Sequence, residues 1–208
     1  YGLAEAFCHV GGYFTYVASN QVDIKLGVIN GWDRLIDNNK DKTIIGRLGV
    51  NLGDPLAFGI SGSWGVEQPE PINDARTSLD LTGITKVIPK VALNFQVNYG
   101  SETIETIDTT FDATWAGFGI QPVISLSDNV DLGARIEYFS DPEGVRTGTS
   151  IKDFNSLNVT LVPTFKWDGF VFRIEYRLDN ASDKIFPVNG KAPSKTSNTV
   201  SLGVSCNF

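Results

Sequence analysis

Apolar and polar residues alternate one for one along this chain, segment after segment. In VALNFQVNY, Val91, Leu93, Phe95, Val97 and Tyr99 alternate with Ala92, Asn94, Gln96 and Asn98. VDLGARIEY sets Val130, Leu132, Ala134, Ile136 and Tyr138 against Asp131, Gly133, Arg135 and Glu137. FVFRIEYRL, VDIKLGV and the terminal NTVSLGVSCNF repeat the pattern, and LAFGISGSW and LNVTLVPTFKW follow it with small lapses such as Pro163. A period of two puts successive side chains on opposite faces of a strand. No segment holds the i, i+3, i+4 spacing of an amphipathic helix over a useful length. The pattern predicts eleven strands, at about 10–19, 22–31, 43–52, 55–65, 75–86, 89–100, 112–125, 129–139, 155–167, 169–179 and 198–208.

The connections alternate as well. ASNQ, LGDP, KVIPK, LSDN and KWDG are short, whereas GWDRLIDNNKDK, GVEQPEPINDA, GSETIETIDTTFD, SDPEGVRTGTSIKDFN and DNASDKIFPVNGKAPSKTS are long and polar. Tight turns on one side and long loops on the other describe an up-and-down meander. Aromatics on the apolar face collect at two levels. Trp64, Tyr99, Tyr138 and Tyr176 lie near the long-loop ends, while Phe58, Phe165, Trp167, Phe170 and Phe208 lie near the short turns. Such girdles suit the two headgroup layers of a bilayer.

A soluble sandwich would also alternate, but its polar faces would meet solvent and carry many Lys and Glu. Here the polar positions hold Asn, Gln, Ser, Thr and Gly with interspersed Arg, Glu and Asp. The expected fold is therefore all-β: a transmembrane up-and-down antiparallel β-barrel, with residues 1–208 in one domain. If the short turns are periplasmic, the C-terminus is periplasmic and residue 10 lies at the outer end. Residues 1–9 are then an extracellular loop. Closed bacterial barrels have an even strand number, so the chain reads as the C-terminal part of a larger barrel. Making residues 1–8 a first strand would give twelve strands, but YGLAEAF alternates poorly.

Composition fits this picture. Mean hydropathy is −0.05 and 41% of residues are hydrophobic, and no apolar run is long enough for a transmembrane helix. That says nothing against a barrel, whose lumen-facing half keeps the average low. A net charge of −7 argues against a nucleic-acid partner. Cys8 and Cys206 fall at opposite rims, about 25 Å apart, and are expected to stay unlinked because a disulfide needs Cα atoms within about 7 Å.

The polar face defines the candidate lumen: Asp23, Lys25, Arg47, Arg76, Asp80, Asn94, Gln96, Arg135, Glu137, Lys166, Arg173, Glu175 and Arg177. RIEY occurs twice, at 135–138 and 173–176, on strands separated by one other, which predicts charges about 10 Å apart. One reading is a transverse field that orients polar solutes. The other is a network of cross-strand ion pairs that stiffens the wall. The two are compatible. Acids gathered in the long loops (Glu67, Glu70, Asp74, Glu102, Glu105, Asp108, Asp112, Asp141 and Glu143) predict a weak cation preference.

No catalytic set, metal site or cofactor is expected. DNNKDK begins like a calcium loop, but Lys42 replaces the turn glycine and Leu48 stands where the bidentate Glu belongs. His9 is the single histidine, with no serine close in sequence, and GISGSWG is not a nucleophile elbow.

Several stretches carry a resemblance: GLAEAFCHVGGYFTY, LGVINGWDRLIDNNKDKTIIGRL, NYGSE, RIEYFSDPEGVRTGT, RIEYRLDNASDKIF and NTVSLGVSCNF. Together they resemble the OmpL-like β-barrel porins of Gram-negative outer membranes, over nearly the whole chain. The resemblance implies a pore for small solutes, contact with outer-membrane lipids, and no catalytic residues to carry over. It also implies that Phe208, as the terminal aromatic, belongs to the signal read by the barrel-assembly machinery. Whether the barrels form a homo-oligomer stays open.

Overall fold

A computed structural model describes residues 3–148 and 151–206. Phe208, the expected insertion signal, lies outside the described residues. The chain forms strands β1 (Gly11–Val17), β2 (Val22–Ile29), β3 (Thr43–Asn51), β4 (Leu56–Val66), β5 (Ala75–Ile88), β6 (Val91–Glu105) and β7 (Thr110–Ser127). These are followed by β8 (Val130–Asp141), β9 (Phe154–Trp167), β10 (Phe170–Ala181), the short β11 (Phe186–Val188) and β12 (Lys191–Ser194), and β13 (Thr196–Cys206). Eleven of them make one antiparallel sheet in sequence order, with β13 beside β10, and β11 and β12 form a separate small hairpin.

The short turns form where the sequence has turn chemistry. Between β9 and β10, Asp168 and Gly169 take φ of 45° and 81°, the left-handed pair that a two-residue hairpin turn requires. Two gaps in the ladder have an equally local cause. The β7–β8 pairing skips from Ile120 to Val123 around Pro122, and the β9–β10 pairing skips from Thr164 to Leu161 around Pro163. Proline has no N–H to donate.

The long-loop side departs from the sequence expectation in two places. GSETIETIDTTFD is mostly strand: β6 and β7 pair as far as Glu105 and Thr110, leaving only 106–109 as the turn. Beyond the apolar band neither face has to be oily, so a β-hairpin can continue where alternation has already faded. The loop after β10 holds the β11–β12 hairpin, and β13 starts at Thr196.

Outward-facing side chains are bare. Leu202 is 78% exposed, and Phe14, Leu26, Val200 and Val204 are also among the exposed residues. Rows of large apolar side chains on one continuous face exceed any patch a water-soluble surface carries, and their complement is hydrocarbon. The burial is on the polar side and at the loop ends, where Trp115, Phe154, Thr43, Thr160 and Asp141 are almost fully enclosed.

The sheet is not closed. β1 and β13 each have a single neighbour. In an eleven-stranded antiparallel meander the first and last strands run the same way, so these edges cannot pair antiparallel with each other. Cys8 and Cys206 are not joined by a disulfide.

Candidate functional site

The inward face is built from rows that the strand register aligns. One runs Lys25–Arg47–Ser61–Asp80–Asn98–Gly117 across β2 to β7. The next runs Asp23–Gly49–Gly59–Thr82–Gln96–Gly119–Glu137 across β2 to β8. The expected lumen residues on these strands fall on this face together.

Most of its charges neutralise one another. Arg47 Nη1 lies 2.6 Å from Asp23, Arg76 Nη2 2.7 Å from Glu102, and Arg135 Nε 2.9 Å from Glu137. Lys166 Nζ lies 2.7 Å from Asp131, and Arg177 Nε 2.7 Å from Asp179. Arg76 and Glu102 stand directly opposite on β5 and β6, whereas Arg135–Glu137 and Arg177–Asp179 join residues two apart on one strand. Lys25, Arg173 and Glu175 make no ion pair among the described residues. Asn94 donates to the Gln121 carbonyl at 3.4 Å.

The doubled RIEY does not line up as its sequence suggests. Arg135 and Arg177 both face Thr160 of the intervening strand, while Arg173 faces Thr164. The first RIEY is therefore aligned with Arg177 and Asp179, and the second lies four residues down the wall, which refutes the expected 10 Å separation. Register is set by turns and packing across strands, and an internal repeat does not reveal it.

Trp64, Tyr99, Tyr138, Trp167 and Tyr176 all stand on the opposite, outward face and are exposed, Trp167 at 70%. Tyr176 Oη donates to Asn198 at 3.0 Å.

Residues 3–8, ahead of β1, do not hang away from the sheet. Trp115 Nε1 donates to the Ala4 carbonyl at 3.0 Å, and Arg146 Nε to the Leu3 carbonyl at 2.9 Å. Gln96 Nε2 donates to Glu5 at 3.1 Å, and the Phe7 and Cys8 amides donate to Asp33 Oδ1 at 2.6 and 2.9 Å. The segment thus lies against the inward face and is held from β6, β7 and two long loops. It separates two cavities. One, of about 400 Å³, is lined by Glu5, His9, Tyr13, Lys25, Arg47 and Asp80. The other, of about 510 Å³, is lined by Leu3, Phe7, Arg135, Glu137, Asn158 and Arg177.

A tryptophan–arginine cluster anchors the segment. Trp32 and Trp115 meet edge to face at 5.9 Å, and the Arg146 guanidinium lies 4.6 and 5.3 Å from their centroids. Arg76 stacks 5.2 Å from Trp32. Burial, then the nearby Arg76, holds the Arg146 pKa below its usual range. The Trp115 indole lies over Gly100, where any Cβ would collide with its ring. The sequence reading missed this cluster, although Trp115 leaves a signal: it is an aromatic on the polar side of its strand, opposite a glycine.

Loop acids expected to favour cations at the mouth are partly structural. Glu67 accepts from the Trp32 amide and the Thr43 hydroxyl at 2.7 and 2.6 Å. Asp141 is fully buried and accepts from the amides of Val145, Arg146 and Thr147. In DNNKDK, Lys42 pairs with Asp37, and Asn39 donates to the Val66 and Gln68 carbonyls.

A single antiparallel sheet with an oily outer face, a polar inner face and sorted loops defines a membrane-spanning β-barrel wall of the outer-membrane type. The family described as "Putative beta-barrel porin-2, OmpL-like" matches residues 3–208, and the chain belongs to it. Among solved structures, a porin refined at 1.8 Å resolution is similar at a TM-score of 0.63 and 11% identity, covering 96% of this chain and 62% of its own. OmpT, an outer-membrane protein of Vibrio cholerae, is similar at a TM-score of 0.61 and 16% identity, covering 92% of this chain and 62% of its own. Its loop L8 deletion mutant matches with the same score and identity, covering 92% and 60%. The chain thus spans about three fifths of these structures' lengths. No curated protein sequence matches it.

Proposed function

We propose that this chain forms the greater part of the wall of a passive diffusion channel for small polar solutes. The lumen is lined by Asp23, Lys25, Arg47, Arg76, Asp80, Asn94, Gln96, Arg135, Glu137, Lys166, Arg173, Glu175 and Arg177, and residues 3–8 narrow it. The observation that carries this reading is the pairing of a bare apolar outer face with an inner face of cavities, ion pairs and amides. An aqueous interior is the setting in which partly exposed ion pairs such as Arg47–Asp23 carry little desolvation cost.

In the same reading the five short turns are periplasmic and the C-terminus lies on that side. Trp64, Tyr99, Tyr138 and Tyr176 sit at the outer headgroup level and Trp167 at the inner one, and Phe208 is the terminal signal for the assembly machinery. Parallel edges at β1 and β13 support closure by an odd number of further strands. The chemistry is transport without catalysis, in keeping with the porin family.

The test is planar-bilayer recording with the full-length protein. Discrete conductance steps proportional to salt concentration are expected. A correctly inserted, heat-modifiable barrel that gives no steps would overturn the channel reading in favour of a scaffold barrel.

A further inference from the structure

We propose that the cavity between residues 3–9 and strands β1 to β5 binds a zwitterionic solute of the α-amino-acid class, its ammonium group on Glu5 and Asp80 and its carboxylate on Lys25. This rests on the channel reading above and names the class of solute.

Ion pairing leaves an uneven remainder on the inner wall. Asp23, Glu102, Asp131, Glu137 and Asp179 each hold a cation. Around the 400 Å³ cavity, Glu5, Asp80 and Lys25 have no charged side-chain partner among the described residues. The volume falls in the range of small-molecule sites.

Glu5 and Asp80 share a single donor group: Gln96 Nε2 lies 3.1 Å from Glu5 Oε2 and 2.8 Å from Asp80 Oδ2. Asn98 donates to the same Asp80 oxygen. Two carboxylates held by neutral amides still repel, and burial raises the Glu5 pKa. A bound ammonium group would relieve both costs, and its three N–H donors suit two carboxylates.

The counter-charge is placed at the other end. Lys25, Arg47, Ser61 and Asp80 stand in one register row, so Lys25 and Asp80 are three strand spacings apart, about 14 Å between α-carbons. Glu5, Asp80 and Lys25 nevertheless line one and the same cavity, so a solute inside it meets both signs of charge. Lys25 Nζ is held 5.5 Å from the Tyr13 ring centroid, and Arg47 beside it is already committed to Asp23. Tyr13, Ile29, Trp32 and Ile45 line the same cavity and offer apolar contact for a side chain.

The test records single-channel current through the full-length protein in about 0.1 M salt, where the screening length is about 10 Å. L-Leucine, N-acetyl-L-leucine and L-leucine methyl ester are titrated in turn. L-Leucine should reduce the current in a saturable way. N-Acetyl-L-leucine, which lacks the ammonium group, should need roughly tenfold more, the contribution of one charge-assisted hydrogen bond. Asp80→Asn should weaken block by L-leucine, and Lys25→Gln should make the ester and the free amino acid equally effective. Conductance steps with equal block by all three solutes, or with none, would overturn the site and leave the channel standing. Absence of steps would overturn both.

Discussion

Replacing Trp115 with alanine should release residues 3–8 from the inner wall. Trp115 is 1% exposed and makes three separable contacts with the cluster and the segment. Its indole N–H bonds the Ala4 carbonyl at 3.0 Å, its ring meets Trp32 edge to face, and Arg146 stacks on it at 5.3 Å. A hydrogen bond contributes about 1 kcal/mol, an aromatic pair about 1 kcal/mol and a partly buried cation–π contact about 1 kcal/mol. Only the bond to Ala4 reaches the segment directly, and the two ring contacts act through Trp32 and Arg146, which itself bonds the Leu3 carbonyl. The effect on docking therefore lies between about 1 and 3 kcal/mol, or about one to two orders of magnitude in the equilibrium. The wall itself should survive, because its ladders do not pass through this side chain. Single-channel conductance should therefore rise and become noisier, while heat-dependent gel migration stays that of a folded barrel. Trp115→Phe keeps ring packing and loses the bond to Ala4, so it should fall between. A folded Trp115→Ala barrel with unchanged conductance and noise would refute the view that this side chain holds the constriction.

Four further outcomes follow from named contacts. Ile174→Arg, on the exposed face of β10, should impair insertion by about 2–4 kcal/mol near mid-membrane, whereas Ser201→Arg on the inner face of β13 should insert; detergent refolding yields compare them. Arg76→Ala strands Glu102, which is 4% exposed, and should cost about 3–5 kcal/mol in denaturant unfolding, against under about 1 kcal/mol for Arg47→Ala at a half-exposed pair. Because burial raises the docked Glu5 carboxyl above a glutamate's usual value, docking is strongest at low pH and weakens as pH rises through the raised pKa; conductance should climb over that window, and Glu5→Gln should flatten the profile. Reversal potentials in a salt gradient should show a weak cation preference, and an anion preference would discard it.

Alternation made the wall legible because a barrel strand must satisfy lipid and water at once, residue by residue. β8 shows it plainly: Leu132, Ile136 and Tyr138 point out, and Asp131, Arg135 and Glu137 point in. What alternation cannot carry is register and everything beyond the apolar band. The two RIEY segments are identical in sequence, yet one stands four residues lower, because turn geometry and neighbouring strands set the offset. Glu67 and Glu102 read only as members of an acidic loop set since their partners, Trp32, Thr43 and Arg76, are 24 to 35 residues away. Asp141 is different: it caps its own loop through Val145, Arg146 and Thr147, a local contact that the sequence DPEGVRT could have suggested.

The two readings of the inner charges make different claims about what a solute feels, and the geometry separates them by location. A carboxylate and a guanidinium 2.6–2.9 Å apart form a short dipole, whose potential falls quickly with distance and is damped further by salt. Five such pairs stiffen the wall and contribute little field in open water. Charges without an oppositely charged side chain among the described residues act at longer range, and on the strands around the 400 Å³ cavity these are Asp80 and Lys25. Neutralising Arg135 and Glu137 together should then leave ion selectivity nearly unchanged, whereas neutralising Asp80 alone should shift it. If the Arg135–Glu137 double change moved the reversal potential as far as Asp80→Asn, the pairs would be acting at a range that short, screened dipoles do not have, and the wall would have to be treated as one distributed field.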